Sequence, residues 1–179
     1  MKNKQSLYKW LYETYENDLF SYGIAFGISK ELLEDAIHDV FLHLYEREHK
    51  LWESQNMKFY LLNCLKNRIR TIKKKEMNTE CLEEGSDNYS FLIEVNGFEL
   101  KEKERAAMQK QLKKMLDSLT DRQREAVYLR YTQGLSYEEI GKLMGIQPKA
   151  AQKLVYRAIE QMRKIQPQII YFFLFGYFL

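Results

Sequence analysis

Two prolines and eight glycines in 179 residues leave this chain little with which to interrupt a helix or build the tight turns of a strand-rich fold. Long helices are the expectation, and the apolar spacing agrees. Over residues 6–26, Leu7, Leu11, Tyr15, Leu19 and Tyr22 recur every three to four positions, which lines one face of a helix. Gly27 and Ser29 read as a stop and a restart, with Ser29 placed to cap the next helix. From Lys30 to Glu48, Leu32, Leu33, Ala36, Ile37, Val40, Phe41, Leu44 and Tyr45 form one stripe. Glu34, Asp35, His38, Asp39, His43 and Glu46 occupy the opposite face. After a polar break at 49–58, a third helix is expected from about Phe59 to Lys75, with Tyr60, Leu61, Cys64, Leu65, Ile69 and Ile72 on its apolar side. With 45% apolar and 30% charged residues, there is enough material for a packed core.

Charge position says more than charge sum. The net charge of +3 is a weak argument for nucleic acid. Yet residues 62–75 carry six basic groups and no acidic one (Lys66, Arg68, Arg70, Lys73, Lys74, Lys75), whereas 76–100 carry seven acidic groups and no basic one. Residues 142–179 return to six basic against one acidic. The acidic stretch contains Glu83-Glu84-Gly85-Ser86-Asp87-Asn88 and loses helical periodicity. It reads as a flexible linker, 76–100, between an amino-terminal domain, 1–75, and a carboxy-terminal domain, 101–166.

The carboxy-terminal domain has the sharper local signals. Thr120 with Gln123, and Ser136 with Glu139, match the capping box that opens a helix. Gly134 closes the first of these helices and Gly145 makes a tight turn after the second. Pro148 sits where a first helical turn tolerates proline. Short helix, glycine turn and basic helix together read as a helix-turn-helix, whose second helix enters the DNA major groove. That helix offers Lys149, Gln152, Lys153, Tyr156 and Arg157 to base edges and phosphates.

In the first domain, Trp52, Phe59 and Tyr60 lie beside Asn56, Lys58, Asn63 and Asn67 and run into the basic block with Lys66 and Arg70. Aromatic faces, amides and cations suit unstacked bases and a single-strand backbone. Periodicity alone favours a plainer assignment, in which Phe59 and Tyr60 are core and the lysines a solvated face. Catalysis has little support: His38, His43 and His49 are not spaced as metal ligands on one helix face, and no phosphate loop or nucleophile motif occurs. No catalytic residue, metal or cofactor is expected. Cys64 reads as an apolar filler and Cys81 lacks an activating cation. Two cysteines exclude a disulfide framework, and a polar amino terminus without a signal core points to the cytoplasm. The hydrophobic tail, 167–179, has an uncharged run from Ile169 to Leu179 that is too short to cross a bilayer, so no stable membrane insertion is expected.

These pieces resemble the sigma factors of bacterial RNA polymerase. Asp35-Ala36-Ile37-His38-Asp39-Val40-Phe41 is similar to a segment of their polymerase-binding helix. Phe59 to Asn67 and its basic continuation resemble the helix that follows. Leu119 to Arg163 resembles their carboxy-terminal helix-turn-helix, through Gln123-Arg124-Glu125, Gly134 to Ile140, Gly145-Ile146 and Arg157-Ala158. A chain with only these two domains is similar to the compact extracytoplasmic-function group. The resemblance implies an all-α fold of two small helical domains, one like sigma region 2 and one like region 4. It implies core RNA polymerase and promoter DNA as partners and no enzymatic step. Asp35, His38 and Asp39 would face the polymerase. Lys50, Asn56, Lys58, Tyr60, Asn63, Lys66, Asn67 and Arg70 would read and hold the melted downstream element, and the Lys149–Arg157 face would read the upstream element. His38, Thr71, Ala150-Ala151 and Leu154 depart from the family pattern, the last three in the reading helix. An anti-sigma factor is a candidate partner, including for the tail. The rival expectation is a stand-alone helix-turn-helix regulator that binds DNA as a dimer.

Overall fold

The structure, a computed structural model, describes residues 4–46, 56–76, 91, 102–165 and 167. Seven helices make up the secondary structure of the described residues. They fall into two compact units, Met1–Asn88 and Tyr89–Leu179.

The first unit is a bundle of α1 (Lys4–Ile24), α2 (Lys30–Glu46) and α3 (Met57–Glu76), each packed on the other two. Its core is Leu11, Leu19 and Tyr22 of α1, Leu33, Ile37, Phe41 and Leu44 of α2, and Leu61, Leu62, Leu65 and Ile69 of α3. Each such side chain contributes roughly 1.5–3 kcal/mol on burial. Aromatic rings stitch the start of α1 to the end of α2: Tyr12 lies 4.8 Å from Phe41 and Tyr8 meets Tyr45 edge-on at 5.4 Å. Ser29 caps α2, its hydroxyl accepting from the Leu32 N–H at 3.3 Å.

The expected stripe on α2 is narrower than its sequence. Leu32 is only half-buried and Tyr45 is exposed, whereas Leu62, which was not assigned to the apolar face of α3, is fully buried. The reason is that α3 packs against both other helices, so its buried arc is wider than one stripe. Lys66 is the larger correction. Expected on a solvated, DNA-facing side, it is 1% exposed, with its ammonium 5.9 Å from the centre of the Phe26 ring. It lies one position beyond Leu65, and the wide buried arc sweeps it inward.

The second unit comprises α4 (Glu102–Asp117), α5 (Asp121–Tyr131), α6 (Tyr137–Met144) and α7 (Pro148–Ile165). Helix α7 packs on α4, α5 and α6 through Ala151, Val155, Ala158, Ile159 and Met162. Both capping boxes form: Thr120 with Gln123 and Ser136 with Glu139, each with reciprocal side-chain and backbone bonds. Each cap is worth about 1 kcal/mol.

Phe91 belongs to this unit, although its sequence places it in the linker. It is fully buried, its ring 5.7 Å from that of Tyr128. Lys50, Trp52, Cys81, most of 76–100 and the apolar run 169–179 lie outside the described residues.

Candidate nucleic-acid interface

The reading helix is built from its turn outward. Gly145 ends α6 in the left-handed region, at φ 65°, where a side chain is strained. Gly141, one turn earlier, is needed for space: a Cβ there would lie 2.7 Å from the Ile146 carbonyl oxygen. The two glycines let the chain fold tightly back, and the Ile146 N–H returns to the Gly141 carbonyl at 2.9 Å. Arg122, at the start of α5, donates to the Met144 carbonyl at 3.3 Å and so secures the end of α6 from outside. Gln147 then accepts from the Ala150 and Ala151 N–H groups to open α7 at Pro148.

This geometry turns one side of α7 to solvent. Lys149, Gln152, Lys153, Tyr156 and Arg157 are all exposed, Tyr156 at 65%. Their spacing places them on one face over two turns, opposite the buried Ala151, Val155 and Ala158. The structure also sorts the departures from the family pattern. Ala151 is fully buried and cannot touch a base, which corrects the expectation that the whole Ala150-Ala151 pair alters base reading. Ala150 is exposed and Leu154 half-buried.

Inward-pointing arginines support the platform. Arg130 donates to the Leu135 carbonyl at 2.8 Å and stacks 4.8 Å from the Tyr137 ring. Arg124 donates to the Leu119 carbonyl at 2.9 Å and ion-pairs with Asp121 at 3.1 Å. Sequence reasoning did not assign these roles, because a basic side chain bonding distant carbonyls leaves no local spacing signal. Partial burial raises the pKa of Tyr131 on the same helix above its usual value.

On the first unit the expected residues divide. Asn63, Arg70 and Tyr60 are half-buried on α3, and Asn67 is exposed. Asn56 is the cap of α3: its Oδ1 accepts from the Phe59 N–H at 3.4 Å, and its carbonyl accepts from the Tyr60 N–H at 3.1 Å. Lys58 is ion-paired to Asp18 of α1 at 2.8 Å. The basic block is partly consumed by the fold. Besides the buried Lys66, Arg68 pairs with Asp39, and Lys73 donates to the Phe26 carbonyl just past α1. A cation at a helix C-terminus satisfies carbonyls that the helix leaves open. Lys74 and Lys75 remain exposed.

On α2, Asp35 and His38 are exposed and Asp39 is half-buried against Arg68. A groove between α2 and α3 is lined by Asp39, His43, Cys64, Asn67, Arg68 and Thr71. It joins the expected polymerase-facing and strand-holding residues, Asp39 and Asn67, in one depression. Cys64 is at its wall, half-buried, rather than the core filler expected. At the start of α2 the Glu31 carboxyl is held below its usual pKa, first by the hydrogen bond with its own backbone and then by the Ser29 hydroxyl. Among the described residues no group of acidic, histidine and cysteine side chains could hold a metal ion, and no helix is long and apolar enough to cross a membrane.

Comparison with known proteins follows the same division. Residues 109–162 match the family described as Sigma-70, region 4, which covers the end of α4 through most of α7 and the whole exposed face of α7. The chain is similar to the ECF RNA polymerase sigma factor SigM of Bacillus subtilis, 22% identical over 159 residues, covering 87% of this chain and 92% of that protein. The chain belongs to the extracytoplasmic-function group of the sigma-70 family. A shorter likeness, 38% over 56 residues, links 31% of this sigma-family chain to 29% of the ECF RNA polymerase sigma factor ShbA of Streptomyces griseus. The fold is shared with the sigma factor RpoE of Bartonella quintana, solved with the anti-sigma factor NepR (TM-score 0.61, 19% identity, 90% of this chain and 97% of that one). It is shared too with CnrH, solved with the cytosolic domain of CnrY (TM-score 0.54, 17% identity, 92% and 89%).

Proposed function

We propose that this chain binds core RNA polymerase and directs promoter-specific initiation. In this reading the second unit holds the upstream element and the first unit holds melted bases of the downstream element. The carrying observation is that the likeness to SigM extends over most of the chain, helix-turn-helix and amino-terminal bundle alike. A stand-alone regulator would have no use for the second of these. Lys149, Gln152, Lys153, Tyr156 and Arg157 meet the duplex: glutamine can bond adenine bidentately, and the cations serve guanine edges or phosphates. Tyr60, Asn63, Asn67 and Arg70 of the first unit meet the opened strand, where amides bond exposed base edges and the cation follows the backbone. Asn56 offers its amide nitrogen, since its oxygen caps α3. Lys58 is positioned by Asp18, and Lys66, being buried, has no part in DNA contact. Asp35, His38 and Asp39 face the polymerase.

No chemical step belongs to this chain. Strand opening is favoured because unstacked bases are stabilised once trapped, while the upstream contacts hold the complex in register. The anti-sigma partners of RpoE and CnrH support a place for an inhibitory protein here as well. Run-off transcription with core polymerase on a randomised promoter library tests the reading. Selective initiation from a subset of templates is expected; initiation from none, with a correctly folded chain, would sink it.

A further inference from the structure

Phe91 is held by more than its ring. Its N–H donates to Asp121 Oδ1 at 2.8 Å, and its carbonyl accepts from Arg124 Nη1 at 2.5 Å. Asp121 and Arg124 are themselves bridged at 3.1 Å. Two side chains of α5 therefore form a polar clasp around one residue, while the aromatic ring is fully buried against Tyr128. Ring burial alone would tolerate sliding and reversal of the chain. Satisfying both backbone groups of one residue fixes its position and direction.

We infer that the Phe91 seat sets the working length of the connection between the two units, and through it the spacing between promoter elements that the chain accepts. The second half of this inference rests on the sigma-factor reading above. Fourteen residues, 77–90, separate the end of α3 from Phe91, whereas 25, 77–101, separate it from the start of α4. At about 3.4 Å per extended residue, the seat withdraws about 37 Å of reach. At about 3.4 Å of rise per base pair that is roughly eleven base pairs of duplex, far more than a spacing preference needs. The seat, not the number of residues between the helical regions, is the limit on reach.

The test uses the full chain with core polymerase on templates selected from the randomised library, rebuilt with the spacing between elements altered one base pair at a time. Phe91→Ala is expected to keep initiation at the best spacing while raising the relative yield at longer spacings by about threefold or more, as a longer tether flattens effective concentration. Phe91→Leu, which refills the apolar seat and keeps both backbone bonds, is expected to restore the narrow profile. Inserting eleven Gly/Ser residues within 77–90 lengthens the connection without touching the seat and should reproduce the broad profile even if Phe91→Ala unfolds the second unit. A spacing profile unmoved by the insertion, or by a folded Phe91→Ala, overturns the inference alone. A wild-type chain that initiates from no template removes the reading beneath it, and the inference with it.

Discussion

Lys66 and Arg157 carry the same formal charge and sit on helices of similarly basic composition, yet their environments assign them opposite tasks. Arg157 is exposed on α7, so Arg157→Ala is expected to weaken upstream duplex binding and to lower the salt slope of log affinity by about 0.9, one phosphate contact. Fluorescence anisotropy across a salt series reads both. Lys66 is 1% exposed. Lys66→Ala is expected to leave that slope unchanged and to destabilise the first unit by about 1–3 kcal/mol, seen as a lower denaturant midpoint. An altered slope with full stability would return Lys66 to the DNA-facing set. Asn67 is exposed on the groove between α2 and α3, so Asn67→Ala should spare upstream duplex binding but reduce strand opening, followed by permanganate reactivity of the template. Equal loss of both activities would contradict the division of labour between the units.

At the scale of the element, α6, its turn and α7 form one mechanical piece. Capping at Ser136 starts α6, Gly145 stops it and Arg122 ties down its last carbonyls, so the direction of α7 follows from α6. Gly141→Ala is expected to cost the second unit about 1–3 kcal/mol, because the added methyl meets backbone at 2.7 Å rather than a side chain that could move. The displaced turn should also weaken duplex binding beyond what the stability loss explains, measured well below the melting temperature. Normal binding by a destabilised Gly141→Ala protein would show that the turn does not aim the helix. In α3 the element does two jobs at once. Half of its basic block closes the bundle, through Lys66, Arg68 and Lys73, and the remainder is left for other contacts.

For the whole molecule, the chain divides into two units with separate cores, and the second unit includes Phe91. Thermal unfolding is expected to resolve into two transitions, with the fragment 89–179 reproducing one of them and binding upstream duplex within a few-fold of the full chain. A single transition in the full chain, together with an unfolded fragment, would refute this independence. The fragment is also expected to direct no initiation, since the strand-holding residues lie in the other unit.

Much of this was legible because the signals are local. Few helix breakers, three- to four-residue apolar spacing, two Ser/Thr capping boxes and a glycine turn each act within about one helical turn, and backbone hydrogen bonding makes that range decisive. They determined seven helices' worth of architecture, the helix-turn-helix and the exposed face of α7. The fate of individual charges and of Phe91 was decided only by tertiary structure. Whether a lysine meets solvent or a phenylalanine ring depends on which helices close over it. Lys66 approaches Phe26 from 40 positions away, Arg68 reaches Asp39 from 29, and Phe91 is clasped by Asp121 and Arg124 from 30 and 33. Burial and pairing are properties of a packed neighbourhood, and no spacing along the chain encodes a partner so distant.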